Sequence, residues 1–211
     1  MGRARAWHLL TFLVAAFAVV FQLVLVWQGH AVLDETNRPD LGTRLVRFIS
    51  YFTILSNILV AATELTLAVG ADRDTRLWRV ARLNAVVAIA VTGIVHWFLL
   101  RPLLDLQGDD WWADKLLHVV VPLLAVVGWL VFGPRGRARR EDLLPSLLFP
   151  GAYLVYTLVR GELVEWYPYP FIDVNEHGYG IVALNAVGVV VLLLALTFGA
   201  IKLDGRLGAR Q

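Results

Sequence analysis

The sequence predicts an all-α polytopic membrane protein, a single domain of six transmembrane helices with both termini cytoplasmic. Three observations lead there. Of 211 residues, 58% are hydrophobic and 17% charged, a balance foreign to ordinary soluble domains. The mean hydropathy of +0.65 agrees. Six apolar segments reach or approach the roughly 20 residues that a spanning helix needs.

In order, the segments are 7–27, 48–70, 78–100, 112–132, 143–160 and 178–201. The first follows Arg3 and Arg5, as a signal peptide would. Its apolar run is long and no small-x-small cleavage site follows, so it is read as a retained helix. The fourth contains Pro122, which predicts a kink and a freed carbonyl one turn earlier, at His118. The fifth is the shortest and carries Pro145 and Pro150 near its start.

Basic residues set the orientation. The N-terminus (Arg3, Arg5), second loop (Arg73, Arg76, Arg79, Arg82), fourth loop (Arg135, Arg137, Arg139, Arg140) and tail (Lys202, Arg206, Arg210) hold 13 of the 19. Arg38, Arg44, Arg47, Arg101, Lys115 and Arg160 occupy the other three loops, with most of the acids. That alternation predicts cytoplasmic termini and, with the Ala/Val/Arg-rich usage of a bacterial chain, a multi-pass protein of the bacterial inner (plasma) membrane. The partners expected are membrane lipids, not nucleic acid, because the small net charge of +2 is split between two sides of a bilayer. There is no cysteine, which excludes disulfides, thiolate nucleophiles and iron–sulfur clusters.

Polar residues inside the apolar segments narrow the function. At about 1.5 Å per residue, Thr53 and His118 each lie ~9 Å in from the acid-rich side, and His96 ~8 Å. Asn185, seven residues past Gly178, falls near the same layer. Polar groups in hydrocarbon turn toward the protein interior. A hydroxyl and an imidazole that meet there are the minimum parts of a nucleophile and its base. Asp114 precedes His118 by four residues, a helical spacing that lets a carboxylate hold the imidazole's tautomer. Thr53, Asn57 and Glu64 share one helix face. Asn57, His96 and Asn185 are the candidate supporting or oxyanion donors. The segment before the last helix, with Trp166, Tyr167, Tyr169 and Phe171, is either an interfacial belt or a stiff cap over a cavity.

Each residue also has a plainer reading. A membrane threonine commonly bonds its own i−4 carbonyl. A lone helical histidine commonly joins helices. Glu64 is placed to pair with Arg76 or Arg79, and Ser56, Thr63, Thr92 and Asn84 read as packing or bridging groups.

The motifs Phe52-Thr53-Ile54-Leu55-Ser56-Asn57, Trp112 through Pro122 and Tyr167-Pro168-Tyr169-Pro170-Phe171-Ile172-Asp173, followed by Gly178-Tyr179-Gly180, occur in that order. Together they resemble the androgen-induced and androgen-dependent TFPI-regulating proteins and their bacterial six-helix relatives. The resemblance covers nearly the whole chain. It implies an integral membrane threonine hydrolase that cleaves fatty acid esters of hydroxy fatty acids, with Thr53 as nucleophile and His118 as its histidine. Asp114 is not carried by the resemblance and rests on spacing alone.

The expected function is therefore lipid-ester hydrolysis without a cofactor, on a substrate with a long acyl chain. Two other classes use the same residues. A binding protein or carrier for lipid or a small molecule would employ the polar layer as a ligand site. A haem protein would use His96 and His118 as axial ligands; His8, His30 and His177 lie at or beyond helix ends and offer no second pair. A metal hydrolase on His96, His118 and Asp114 is the remaining variant, although no metal is expected.

Overall fold

The computed structural model describes residues 2–30 and 38–209. Arg210, counted above in the basic tail, lies outside them. Among the described residues every regular element is helical and no strand occurs. Five helical stretches are long and apolar enough to cross a membrane: Arg3–Gln28, Arg76–Leu103, Gly108–Val131, Arg140–Val164 and Val174–Gly208. A sixth crossing exists if Leu41–Ile49 and Phe52–Ala68, bent by 63° from one another, form one broken span. The contacts divide into two units, Met1–Pro134 and Arg135–Gln211.

In the first unit, α1 (Arg3–Gln28) packs against α3 (Phe52–Ala68), α3 against α4 (Arg76–Val95), and α4 against α6 (Val121–Val131), which also meets α1. Ala15 and Ala18 are fully buried, small enough for α1 to approach its neighbours closely. Ile54, Val60, Ile89 and Val121 fill the core between the helices, while Leu13, Phe17, Val20 and Leu123 point outward, as lipid-facing positions should.

The second expected segment departs from one continuous helix. Asp40 caps α2 (Leu41–Ile49), accepting from the Thr43 backbone N–H at 3.1 Å. Ser50 donates back to the Val46 carbonyl at 2.7 Å, and Tyr51 is extended. The chain re-enters helix at Phe52, so the apolar span begins there rather than at residue 48. Arg44 explains why α2 turns aside: its guanidinium donates to the Val26 carbonyl at 2.8 Å, capping the end of α1.

The third and fourth segments each contain a π-helical turn. α4 continues through His96–Leu100 as π-helix and Arg101–Leu103 as 3₁₀-helix. α5 (Gly108–Lys115) joins α6 through the π-turn Leu116–Val120. The expected kink at Pro122 is realised as this widened turn: the Val121 N–H reaches back to the Leu116 carbonyl, while Pro122, lacking an N–H, starts α6.

In the second unit, short 3₁₀ turns at Arg140–Asp142 and Pro145–Leu147 lead into α7 (Leu148–Val164). Pro145 opens its turn and Pro150 falls in the first turn of α7, both where an N–H needs no helical partner. α7 runs four residues past the expected end at 160. α8 (Val174–Gly208) is capped by Asp173 and kinked at Gly178, whose φ of 70° favours glycine.

Tryptophan 7 shows how a polar edge is satisfied in this packing. Its indole N–H donates to the Leu124 carbonyl at 3.1 Å, and the ring lies where a Cβ on residue 128 would come within 2.6 Å of Nε1. Gly128→Ala should therefore lower thermal stability in detergent by about 1–3 kcal/mol through overpacking. Gly151→Ala, with nothing within 4 Å of the added methyl, should leave the melting temperature unchanged or raise it slightly.

Candidate active site

The site grows out of the irregular backbone of the first unit. Thr53 is the second residue of α3, just after the break at Ser50 and Tyr51. Its Oγ1 lies 3.1 Å from Nε2 of His118. His118 sits at the centre of the π-turn Leu116–Val120. Its other nitrogen, Nδ1, lies 3.1 Å from the backbone carbonyl of Asp114 and 3.0 Å from its carboxylate Oδ1. Two acceptors at Nδ1 fix the tautomer that carries its hydrogen there. The Nε2 lone pair is then free to accept from the Thr53 hydroxyl.

His96 opens the other π-turn and is almost wholly buried. Its ring stacks on His118 with centroids 3.9 Å apart and planes inclined by 13°. Nε2 of His96 is 3.2 Å from the same Asp114 Oδ1, at an angle that completes no hydrogen bond, and Nδ1 has no partner among the described residues. The Asp114 carboxylate thus faces two imidazoles through one oxygen, and through Oδ2 it accepts from Lys115 Nζ at 2.9 Å. Burying a carboxylate here requires such partners, because an isolated charge in a low-dielectric interior is expensive.

Asn57 behaves differently from its expected part. Fully buried, it donates from Nδ2 to the Thr53 carbonyl at 2.8 Å and to the Leu117 carbonyl at 3.3 Å. One N–H is spent within α3 and the other stitches α3 to the π-turn, so none is left for an oxyanion. One helical turn from Thr53 was the right distance, but the widened turn exposes a carbonyl that claims the donor.

Asn185 lies in the second unit, where Nδ2 donates to the Phe171 carbonyl at 2.8 Å and ties α8 to the aromatic segment. Tyr167 and Tyr169 are buried within that unit, Tyr167 packs over Gly161, and Tyr169 stacks on Phe171 at 5.4 Å. Trp166 receives the Arg160 guanidinium at 5.2 Å from its ring centroid. This aromatic run is a packed corner of its own unit.

Two further contacts complete the buried polar seam. Ser56 and Thr92 hydroxyls pair at 3.0 Å, the bridging role expected of them. Glu64 pairs with His8 rather than with Arg76 or Arg79, at 2.7 Å between Oε2 and Nδ1. The basic residues of that region take loop carboxylates instead, Arg79 with Asp74 at 3.5 Å and Arg82 with Asp72 at 3.7 Å. His8 lies inside α1 and is buried, contrary to its expected place at a helix end. Its spacing of five residues from Arg3 was the available signal.

The donor types of His96, Asp114 and His118 are those of a metal site, and their ligand atoms lie within 4.8 Å of one another. The orientation does not fit one. Lone pairs lie in the imidazole planes, and two nearly parallel stacked rings aim them side by side rather than at a common point. Axial haem ligation fails for a related reason, since the rings would have to stand on opposite sides of a porphyrin. Proton sharing through Asp114 suits the observed arrangement. No family model matches the chain, and neither the curated proteins nor the solved structures contain a match.

Asn57→Ala should cost about 1–3 kcal/mol, because it strands the buried Leu117 carbonyl, whereas the Thr53 carbonyl keeps the Ser56 hydroxyl as a donor. Thermal unfolding in detergent measures this, and the Thr53→Ala variant supplies the comparison in which that bridge is kept.

Proposed function

We propose that the protein is an integral membrane ester hydrolase in which Thr53 is the nucleophile and His118 the general base. The observation that carries this reading is the 3.1 Å approach of the Thr53 hydroxyl to His118 Nε2, with Asp114 on the far side of the ring. A nucleophile, a base and a group that orients the base are the parts that activated alcohols use across unrelated folds.

In the proposed reaction, Oγ1 attacks the ester carbonyl as its proton passes to Nε2. The tetrahedral intermediate collapses, the C–O bond to the alcohol breaks, and the departing alkoxide takes the proton from the imidazole. Water then attacks the acyl-threonine, giving its proton to Nε2, and the threonine oxygen leaves with that proton as the free acid forms. Threonine's β-branch restricts χ1 and helps aim the oxygen. An oxyanion donor is worth roughly 3–4 kcal/mol. With the Asn57 amide committed elsewhere, His96 is the candidate that retains unspent ring nitrogens.

The substrate class proposed is a long-chain lipid ester, such as a fatty acid ester of a hydroxy fatty acid, in keeping with the motif resemblance. Basic-residue placement supports cytoplasmic termini and a site toward the extracytoplasmic leaflet of a bacterial plasma membrane. There an acyl chain stays in lipid while its ester meets water.

Purified wild type should hydrolyse a branched long-chain ester, while Thr53→Ala and His118→Ala should lose at least ~10³-fold in kcat, as for other triads. Thr53→Ser should keep measurable turnover. Equal rates in wild type and both alanine variants sink the dyad. A fluorophosphonate probe should label Thr53, whereas saturable ligand binding without labelling or turnover favours a binding protein.

Asp114→Asn should reduce kcat by up to ~10⁴-fold by stabilising the wrong tautomer. Chelators should leave the wild-type rate unchanged; a rate restored only by added metal would move His96, Asp114 and His118 into a metal site.

A further inference from the structure

We propose that a chamber beside Asp114 binds the head group of a zwitterionic phospholipid, its phosphate on Arg101 and its ammonium on Asp105. The chamber has a volume of about 190 Å³ and is lined by Arg101, Leu104, Asp105, Trp111, Asp114 and Lys115 among others. It lies in the first unit, between the 3₁₀ turn that ends the long α4 stretch and the helix α5.

Charge accounting selects the ligand. The Asp114 carboxylate is engaged on one oxygen by the two imidazoles and on the other by Lys115. That leaves Arg101 and Asp105. Both are exposed at the mouth of this open cleft, four positions apart, and neither has an ion-pair partner among the described residues. The Arg101 guanidinium is held over the Trp97 ring at 4.0 Å, which covers one face and leaves its N–H edge for an acceptor. A planar fork of N–H donors suits phosphate, and a carboxylate suits a primary ammonium that donates hydrogen bonds.

A ligand bearing one charge of each sign complements both side chains, whereas a simple anion is repelled by Asp105. Size agrees: drug-sized ligands occupy roughly 300–1,000 Å³, so this chamber suits a head group whose acyl chains remain in the bilayer. Arg101 and Lys115 belong to the basic-poor loops, so their convergence on one chamber is not a consequence of the charge bias that sets topology. Because the chamber wall includes Asp114, a lipid seated there rests against the carboxylate that faces His118. The head-group site does not require Thr53 to be a nucleophile.

The test uses full-length protein carrying Thr53→Ala, in maltoside micelles, so that no turnover interferes. Binding of phosphatidylethanolamine, phosphatidylglycerol and palmitate is measured by native mass spectrometry and by lipid-induced thermal stabilisation. Phosphatidylethanolamine should bind most tightly. Adding Arg101→Gln should weaken both phospholipids about ten-fold, the scale of a charged hydrogen bond. Arg101→Lys, which keeps the charge but not the planar fork, should retain part of the affinity, and Arg160→Gln all of it.

Asp105→Asn should spare phosphatidylglycerol and reduce the preference for phosphatidylethanolamine by about three- to five-fold, the scale of an exposed ion pair. Equal binding of all three ligands overturns the proposal. So does tightest binding of phosphatidylglycerol or palmitate, or loss of affinity in Arg160→Gln equal to that in Arg101→Gln. These outcomes are independent of ester hydrolysis.

Discussion

A buried carboxylate that must be neutralised where water is scarce shapes the centre of the first unit. Asp114 meets that demand with three neighbours: His96 from the π-turn that follows α4, His118 from the turn that follows α5, and Lys115. Each partner constrains a different element. His118 is held by its Nδ1 edge, which aims the opposite nitrogen at Thr53. His96 is held flat against His118, which fixes the separation of α4 from the π-turn. One charge thereby organises three segments, and its own desolvation cost is offset only while all of them stay in place.

The backbone supplies the room. Within hydrocarbon every N–H and carbonyl needs an internal partner, so departures from α-helix are confined to places where side chains take up the loose ends. The π-turn around His118 follows this rule, and each π-turn carries one of the stacked histidines. Pro122 removes the hydrogen bond that would have kept the α5–α6 stretch regular, and the Asn57 amide collects the Leu117 carbonyl beside it. The break at Ser50 and Tyr51 is the third irregularity. It puts Thr53 in a first helical turn, whereas Thr63 and Thr66 deeper in the same helix bond back to the carbonyls of Leu59 and Ala62.

The same helices hold a second polar pair, His8 with Glu64, three turns along α3 from Thr53. It borders a cavity of about 20 Å³, enough for one water, shared with Thr63 and Arg82. α3 is therefore a polar seam with a histidine–carboxylate contact at its deep end and a hydroxyl–histidine contact near its start. Apolar Ile54 and Val60 separate the polar positions and pack the seam shut between them.

Composition and the spacing of apolar runs were sufficient for an all-helical chain with helices long and apolar enough to cross a membrane, because a chain this apolar has few other ways to satisfy its backbone. Depth counting was sufficient to place Thr53, His96 and His118 in one layer, since helical rise is nearly constant. Rotation about the helix axes was not legible, and it decides which polar groups meet. It sent Glu64 to His8 instead of an arginine, turned the Asn57 amide onto two carbonyls, and folded the Trp166–Phe171 run into its own corner with Asn185. The division of the chain into two units was equally hidden, because apolar periodicity says that a face is buried without saying against what. Only the tertiary structure set the two imidazoles face to face over one carboxylate, since that contact depends on two widened turns in separate helices.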